Sequence, residues 1–468
     1  KGMETHPQLA KTATVKEINQ MVDKKVWKPV KKEDLSAEEK RKIIRSFMFL
    51  KEKFSDSGGV NDMKGRLVAG GHMQDVQALF EKSSPTVSTE NQFMVYAVAA
   101  SEKRHCMSLD VEGAYLEADI TGEPVHMILD AVCSAILIEL HPEYSEYRNA
   151  RGEIVLRLLK ALYGCVQSAL AWYNKLKAAL ESLGFARNPT EHCVFNKDIG
   201  GKQCTIAFHV DDLFITHQSM EVIRQVGKEV AMCFTAVKTQ TGETIRHLGI
   251  DVTRKESGNI RMSMEAYERA ICREWALTKQ YKTPASSELF EVDESSEPLD
   301  HKQSKLYHTG AAKVLYLSKR SRPEILTAVS FVTGRVQRPT EEDKNKLDRI
   351  YGYLSGTPGY GIEYEAGGAL TPEVWADAAY MCHHDAKSRS GVLIKMCGGV
   401  IATMSSKQKL VTKSSTEAEL VAMCAGASMA LCCREFLHHQ GHKLQLSVIK
   451  QDNRSVLAMM RAGKPTSN

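Results

Sequence analysis

The chain has 468 residues, 43% of them hydrophobic, enough to bury several cores, so two to four domains are expected. Its net charge of +5 (62 Lys and Arg against 57 Asp and Glu) permits nucleic-acid binding without demanding it. Twelve cysteines without any Cys-x-x-Cys, in a chain too long to need stapling, point to free thiols in a reducing compartment rather than a disulfide scaffold. No apolar run approaches the roughly 18 residues of a membrane span, so no membrane partner is expected. No signal peptide is visible; the first methionine is Met3, as expected of a proteolytic product or an excised piece.

Taken in chain order, residues 12–28 predict an amphipathic helix with Val15, Ile18, Met21 and Val22 on one side. Lys31 to Arg45 is charge-dense and partly solvated. Phe47 to Phe54 and Gly65 to Val68 read as hairpin strands around the loop Asp56-Ser57-Gly58-Gly59. Asn91 to Ala100 predicts a helix leading into a strand that ends near Asp110. Ile154 to Tyr163 is strand then turn, and Ser168 to Leu183 is a periodic helix ending at Gly184. Phe195 to Ile215 is a hairpin, and Ser257-Gly258-Asn259 joins a later strand pair. A helix over Met264 to Leu277 precedes a stretch, residues 283–303, rich in Ser, Glu, Asp and Pro, which reads as a mobile linker. Helices follow over Lys305 to Ser318, Pro323 to Arg335 and Glu341 to Leu354. From Leu370 the order strand, strand, long helix, strand marks a separate α/β domain.

Two blocks carry chemistry. One is Ser108-Leu109-Asp110-Val111; the other is Phe208-His209-Val210-Asp211-Asp212-Leu213-Phe214-Ile215-Thr216. Asp211 and Asp212 stand between two apolar, β-prone runs, as at the tight turn of a hairpin. Adjacent carboxylates are unfavourable unless a cation neutralises them, and two Mg²⁺ ions bridging substrate phosphates would do so. Asp110 ends a similar strand and could complete a three-carboxylate cage. The alternative is a set of acids in solvated turns.

A third block, Lys160-Ala161-Leu162-Tyr163-Gly164-Cys165-Val166-Gln167 continuing to Trp172-Tyr173, resembles the reverse transcriptase of Ty1/copia-type retrotransposons. Asp110-Val111-Glu112-Gly113-Ala114-Tyr115 is similar to that family's first catalytic block. Lys64-Gly65-Arg66-Leu67-Val68-Ala69-Gly70-Gly71 is similar to its fingers motif, and Tyr307 to Pro323 to its thumb helices. Motif order is preserved along the chain.

The resemblance implies an α+β right-hand polymerase of fingers, palm and thumb. Fingers and palm would occupy 1–263, a helical thumb or connection 264–360, and an RNase H-like α/β domain 361–468. Asp110 and Asp211 would hold Mg²⁺, with Mn²⁺ as a substitute, and Asp212 would contribute more weakly or through water. Lys64 and Arg66 would meet the incoming triphosphate, Arg in bidentate fashion; a solvated finger strand is the alternative. Tyr115 would be the steric gate against a ribose 2′-hydroxyl, or else a plain core aromatic. Gln167 would sit near the nascent base pair, or else satisfy buried backbone groups. His209, Leu248 and Gly249 would touch the primer end, with a simple hairpin turn as the alternative for Leu248-Gly249. Two departures stand out: His209 replaces the usual Tyr, and Ala169-Leu170 replaces a common Pro-Arg, removing one phosphate contact.

The last segment offers Asp377 on a strand, Glu419 on a helix and Asp452 at a strand end, the way a ribonuclease H gathers metal-binding carboxylates. These blocks, with Ser388-Arg389-Ser390-Gly391 and Ser405-Ser406-Lys407-Gln408-Lys409, resemble the Ty1/copia RNase H domain. Ser414-x-x-Glu417 fits a capping box, which explains Glu417 and leaves Glu419 for the metal, with a solvated helix face as the alternative. The family's fourth acid, in a His-Ile-Asp-like segment, does not occur before Asn468. His438, His439, His442, Cys432 and Cys433 are not spaced as zinc ligands; a helix end whose histidines complement the dipole accounts for them. The implied partners are an RNA template, a DNA primer and product, an RNA–DNA hybrid and dNTPs, with a second copy of the chain or an integrase as further partners. The implied place is a cytoplasmic virus-like particle, with the nucleus second. The rival class is a non-catalytic nucleic-acid-binding or structural subunit derived from such an element, and a third reading is a polymerase with an inactive RNase H.

Overall fold

A computed structural model describes residues 6–54, 60–74 and 83–463. The predicted loop at 56–59 lies outside them. The strands in chain order are β1 (Trp27–Val30), β2 (Ile44–Phe54), β3 (Val60–Ala69), β4 (His105–Val111), β5 (His126–Leu129), β6 (Ile154–Leu158), β7 (Ala186–Arg187), β8 (Val194–Ile199), β9 (Lys202–His209) and β10 (Asp212–His217). They continue with β11 (Val237–Thr241), β12 (Thr244–His247), β13 (Ile250–Arg254), β14 (Ile260–Ser263), β15 (Ile362–Tyr364), β16 (Glu373–Ala379), β17 (Arg389–Met396), β18 (Gly399–Lys407) and β19 (Val448–Lys450). The chain divides into two compact units that do not follow its order. One holds Lys1–Thr86, Asp110–Phe185 and Lys228–Lys238; the other holds Val87–Leu109, Ala186–Gly227 and Thr239–Asn468.

In the first unit a five-stranded sheet runs β1-β6-β5-β2-β3. The helix Pro7–Asp23 covers it, sending Ile18 and Met21 into a core with Trp27, Leu67, Met127 and Leu156. It begins five residues before the predicted start because Pro7 presets the first helical φ. It stops at Asp23, short of Lys28, because Lys25 turns to φ +52° and Trp27 pairs with Leu158 in β1. The charge-dense stretch holds a short helix, Ala37–Arg41, with a capping box between Ser36 and Glu39. Strands β2 and β3 pair antiparallel, with Lys51 opposite Lys64 and Phe49 opposite Arg66. Along β3 the residues Met63, Gly65 and Leu67 are buried while Lys64 and Arg66 are exposed, the two-residue period of a half-buried strand. Gly65 is required there, since a Cβ would come 2.8 Å from the Ala13 carbonyl oxygen of the covering helix.

In the second unit a sheet of order β11-β4-β10-β9-β8-β7 is buried on both faces along β9 and β10, where Cys204 to Phe208 and Leu213 to Ile215 are all inaccessible. The helix Thr89–Ser101 is buried all round from Gln92 to Ala100. A second sheet, β12-β13-β14-β15, recruits its last strand about a hundred residues downstream. Between them run the helices Glu265–Trp275, His301–Ser318, Leu326–Thr333 and Glu341–Gly356. The last sheet, β18-β17-β16-β19, has three antiparallel strands and β19 parallel to β16, with Glu373 opposite Val448.

Two expectations are corrected here. Residues 283–303, read as a mobile linker, are pinned: Leu289 and Leu299 are buried, and Phe290 packs on Phe331 and His383 beneath the Arg389 guanidinium. Asp300 then caps the helix His301–Ser318 with Gln303 in a capping box. Three apolar side chains thus outweigh an acidic composition. The apolar length is also greater than expected: the helix Ser415–His439 is long and apolar enough, by length and composition, to cross a membrane. Its inner face, including Ala418, Ala422, Gly426 and Phe436, is buried, and a Cβ at Gly426 would lie 3.1 Å from Val374.

Arg322 is wholly buried and pairs with buried Glu268 at 2.7 Å and with Glu324 at 2.6 Å. Arg322→Met leaves Glu268 buried without its cation and is expected to cost about 3 kcal/mol in thermal or urea unfolding, with Glu268→Leu in the same chain recovering most of the loss. His383 provides a pH test. Burial, then Arg389 and Lys407, hold its imidazole down at about 4. The unfolded chain therefore binds a proton near pH 6.5 that the fold rejects. Its contribution should be complete above pH 6.5 and fall by on the order of 1–2 kcal/mol as pH drops toward 4, a slope that His383→Phe should lack.

Candidate active sites

Strands β9 and β10 meet at a two-residue turn, Val210-Asp211, with His209 opposite Asp212. Val210 takes φ +61°, a left-handed conformation that a β-branched residue adopts only under constraint from both strands. The turn places Asp211 and Asp212, both partly exposed, at the end of an otherwise apolar hairpin. Strands β12 and β13 are joined by Leu248 and Gly249, at φ +51° and +78°, the paired positive angles of a type I′ hairpin. The Leu248 N–H donates to Asp212 Oδ2 at 2.8 Å. His247 is fully buried, its Nδ1 2.6 Å from the Tyr96 hydroxyl and its Nε2 3.7 Å from Asp212 Oδ1. Burial holds its imidazole down at about 3, so the neutral ring is favoured. The rings of Tyr96, Phe214 and His247 pack with centroids 4.9 Å and 5.3 Å apart along that series.

In the first unit Asp110 is exposed near the end of β4, between buried Leu109 and Val111. Glu112 beside it forms an ion pair with Lys238, and buried Glu117 pairs with Lys24 at 2.6 Å. Tyr115 lies in a 3-10 turn after Gly113, half-buried, with its ring 5.0 Å from that of Tyr163. The Arg66 guanidinium stands 5.2 Å from the same Tyr163 ring. Gln167 accepts from Gln74 Nε2 at 3.1 Å, and Gln74 Oε1 accepts from the Val166 N–H at 2.9 Å. The two glycine-bearing loops touch, since a Cβ on Gly71 would meet the Gly164 carbonyl oxygen at 1.9 Å. Arg66, Tyr115 and Gln167, predicted from separate blocks, are thus gathered around Tyr163 and Gln74. Tyr163 stood inside a block already singled out. Gln74 carried no local signal.

Asp377 on β16, Glu419 in the helix Ser415–His439 and Asp452 just beyond β19 bring their carboxylate oxygens within 4.8 Å of one another. Glu417 accepts from the Lys413 N–H at 2.6 Å while its own N–H donates to Ser414 Oγ, so the helix start accounts for it. Glu419 is 7% exposed. Burial pushes its carboxyl up, Asp377 and Asp452 push the same way, and Gln451 Nε2, donating at 3.2 Å, opposes them. An all-carboxylate oxygen set suits a hard cation such as Mg²⁺ or Mn²⁺, and repulsion within the cluster is what such an ion would relieve.

Residues 24–287 match the family model described as reverse transcriptase (RNA-dependent DNA polymerase). The chain belongs to that family. Its relatives identify it as the Ty1/copia type. It is 28% identical over 373 residues to the "Retrovirus-related Pol polyprotein from transposon RE2" of Arabidopsis thaliana, covering 79% of this chain and 24% of that protein. It is 24% identical over 432 residues to the Pol polyprotein from transposon TNT 1-94 of Nicotiana tabacum, covering 90% and 31%. The Ty1-BL Gag-Pol polyprotein of Saccharomyces cerevisiae is 22% identical over 428 residues, covering 87% and 23%. This reverse transcriptase chain therefore spans about a quarter of the length of the relatives it matches. A foamy viral protease-reverse transcriptase solved with double-stranded DNA aligns with a TM-score of 0.56 at 11% identity, over 98% of this chain and 66% of that one. The fold is that of an α+β polymerase.

The acid trio makes a prediction independent of any substrate. In chelator, Asp377→Asn should melt ~2 °C or more above the unsubstituted protein, because one repelling charge is gone. Millimolar Mg²⁺ should raise the melting temperature of the unsubstituted protein and leave that of the variant nearly unchanged.

Proposed function

We propose that this chain is the polymerase of a Ty1/copia-type element: RNA- and DNA-templated DNA synthesis from dNTPs, coupled to degradation of RNA in RNA–DNA hybrids. The observation that carries the polymerase reading is the acidic hairpin itself, with Asp211 and Asp212 at the strained turn between β9 and β10. β4 neighbours β10, and the Thr216 hydroxyl donates to the His105 carbonyl at 2.9 Å. The start of β4 thus lies beside the end of β10. The hairpin that carries Asp211 and Asp212 lies within the reverse transcriptase match of residues 24–287, which supports a polymerase site built on these acids.

Divalent ions held by Asp110 and Asp211 would lower the pKa of a primer 3′-hydroxyl and neutralise charge on the departing pyrophosphate. The remaining work falls to the chain's own groups. Lys64 and Arg66, on the exposed face of β3, offer cationic donors to a triphosphate. Tyr115, braced by Tyr163, presents a rigid ring edge against a 2′-hydroxyl. Gln167, held by Gln74, has a fixed orientation from which to contact a nascent base pair. The turn at Leu248-Gly249 and His209 would bear on the primer end. Most nucleic-acid contacts would go to the backbone, because the enzyme must copy any sequence.

For the second activity, the support is the meeting of Asp377, Glu419 and Asp452 from a strand, a helix and a strand end. We propose that this trio binds the ions that cut hybrid RNA.

Primer extension on an RNA template with Mg²⁺ and dNTPs tests the first activity: extension is expected, and Asp211→Asn should abolish it. A folded protein that extends no primer with any divalent metal would support a non-catalytic nucleic-acid-binding subunit. Asp377→Asn should remove cleavage of hybrid RNA while extension continues; unchanged cleavage would unseat the trio. Tyr115→Ala should raise ribonucleotide incorporation, read as alkali-sensitive product.

A further inference from the structure

Resting on the polymerase reading, we propose that Asp212 is the clamp that fastens the turn Leu248-Gly249 to the acidic hairpin, with Tyr96 and His247 as positioning residues. A side chain in the left-handed region costs roughly 1–2 kcal/mol, and Leu248 takes it at φ +51° where Asn or Gly would be the easy choice. Something must hold it there. The Asp212 carboxylate accepts the Leu248 N–H at 2.8 Å from 36 residues away, a charge-assisted bond to the backbone of the turn itself. Gly249 tightens the seat, since a Cβ on it would stand 3.0 Å from the Tyr316 hydroxyl.

The other carboxylate oxygen is aimed by the ring behind it. The Tyr96 hydroxyl, 2.6 Å from His247 Nδ1, holds the imidazole in place by a hydrogen bond. The ring's Nε2 stands 3.7 Å from Asp212 Oδ1, too far for a hydrogen bond but close enough to bear on the carboxylate. Tyr96 comes from the buried helix Thr89–Ser101 and Phe214 from β10, and both pack on the imidazole. One carboxylate therefore ties the catalytic hairpin to the turn that would grip the primer, so the primer terminus and the metal-binding acid next to it are set by one rigid assembly.

The discriminating pair is Asp212→Asn and Asp212→Ala. The asparagine carbonyl can still accept from Leu248 while the charge is lost; alanine loses both. Two readouts need no loaded enzyme: hydrogen exchange of the Leu248 amide, and dissociation of a fluorescent primer–template without nucleotide or divalent metal. In Asp212→Ala, both should quicken by about tenfold or more, and in Asp212→Asn they should stay within about threefold of the unsubstituted protein. His247→Phe, which keeps an aromatic ring but removes both ring nitrogens, should move both in the same direction by less. If the asparagine and alanine variants are equally impaired, or Leu248 exchange is unmoved by alanine, the clamp is wrong while the polymerase reading stands. If the unsubstituted protein extends no primer, both fall.

Discussion

Both candidate sites depend on holding carboxylates close together on buried strands and a buried helix face. Like charges a few ångströms apart repel, and the fold tolerates them by anchoring each acid in something rigid and apolar. The Asp211-Asp212 pair sits on a hairpin whose strands are inaccessible from Cys204 to Phe208 and from Leu213 to Ile215. Glu419 is carried by the buried face of a 25-residue helix. The left-handed φ at Val210 has the same origin: strain at the turn is balanced by packing in the strands.

The two acid groups solve that problem differently. At 377, 419 and 452 the carboxylates stay together, Glu419 is pushed toward protonation, and hydrogen bonds from the Gln451 amide and the Ala378 backbone oppose that push. At the hairpin, Asp212 is given a backbone N–H and a buried imidazole of its own. Adjacent residues in the sequence thus need not share a task. Asp211 sits partly exposed in the turn, while its neighbour is engaged with a segment 36 residues downstream.

Local features of this arrangement were legible in the chain. Apolar flanks around Asp211-Asp212 announced a hairpin, and Ser414 with Glu417 announced a helix start that set Glu419 apart. Distant pairings were not. Nothing near Gln74 says that it will hold Gln167, and nothing in Tyr96 or His247 says that they will meet across 151 residues. Residues 283–303 were misread because composition averages over Leu289, Phe290 and Leu299, the three side chains that decide the outcome. The division into units was hidden for a similar reason: each unit is assembled from three separated stretches, so no boundary appears as a change of composition.

The central claim is that Asp110 and Asp211 bind divalent ions together at a growing DNA end. Its most direct test is anomalous scattering from a crystal of the protein grown with primer–template, a non-reactive nucleotide and Mn²⁺. The account predicts two manganese peaks roughly 3.5–4 Å apart, flanked by Asp110 and Asp211. Manganese confined to Asp377, Glu419 and Asp452, with Asp110 remote from the hairpin turn, would contradict it.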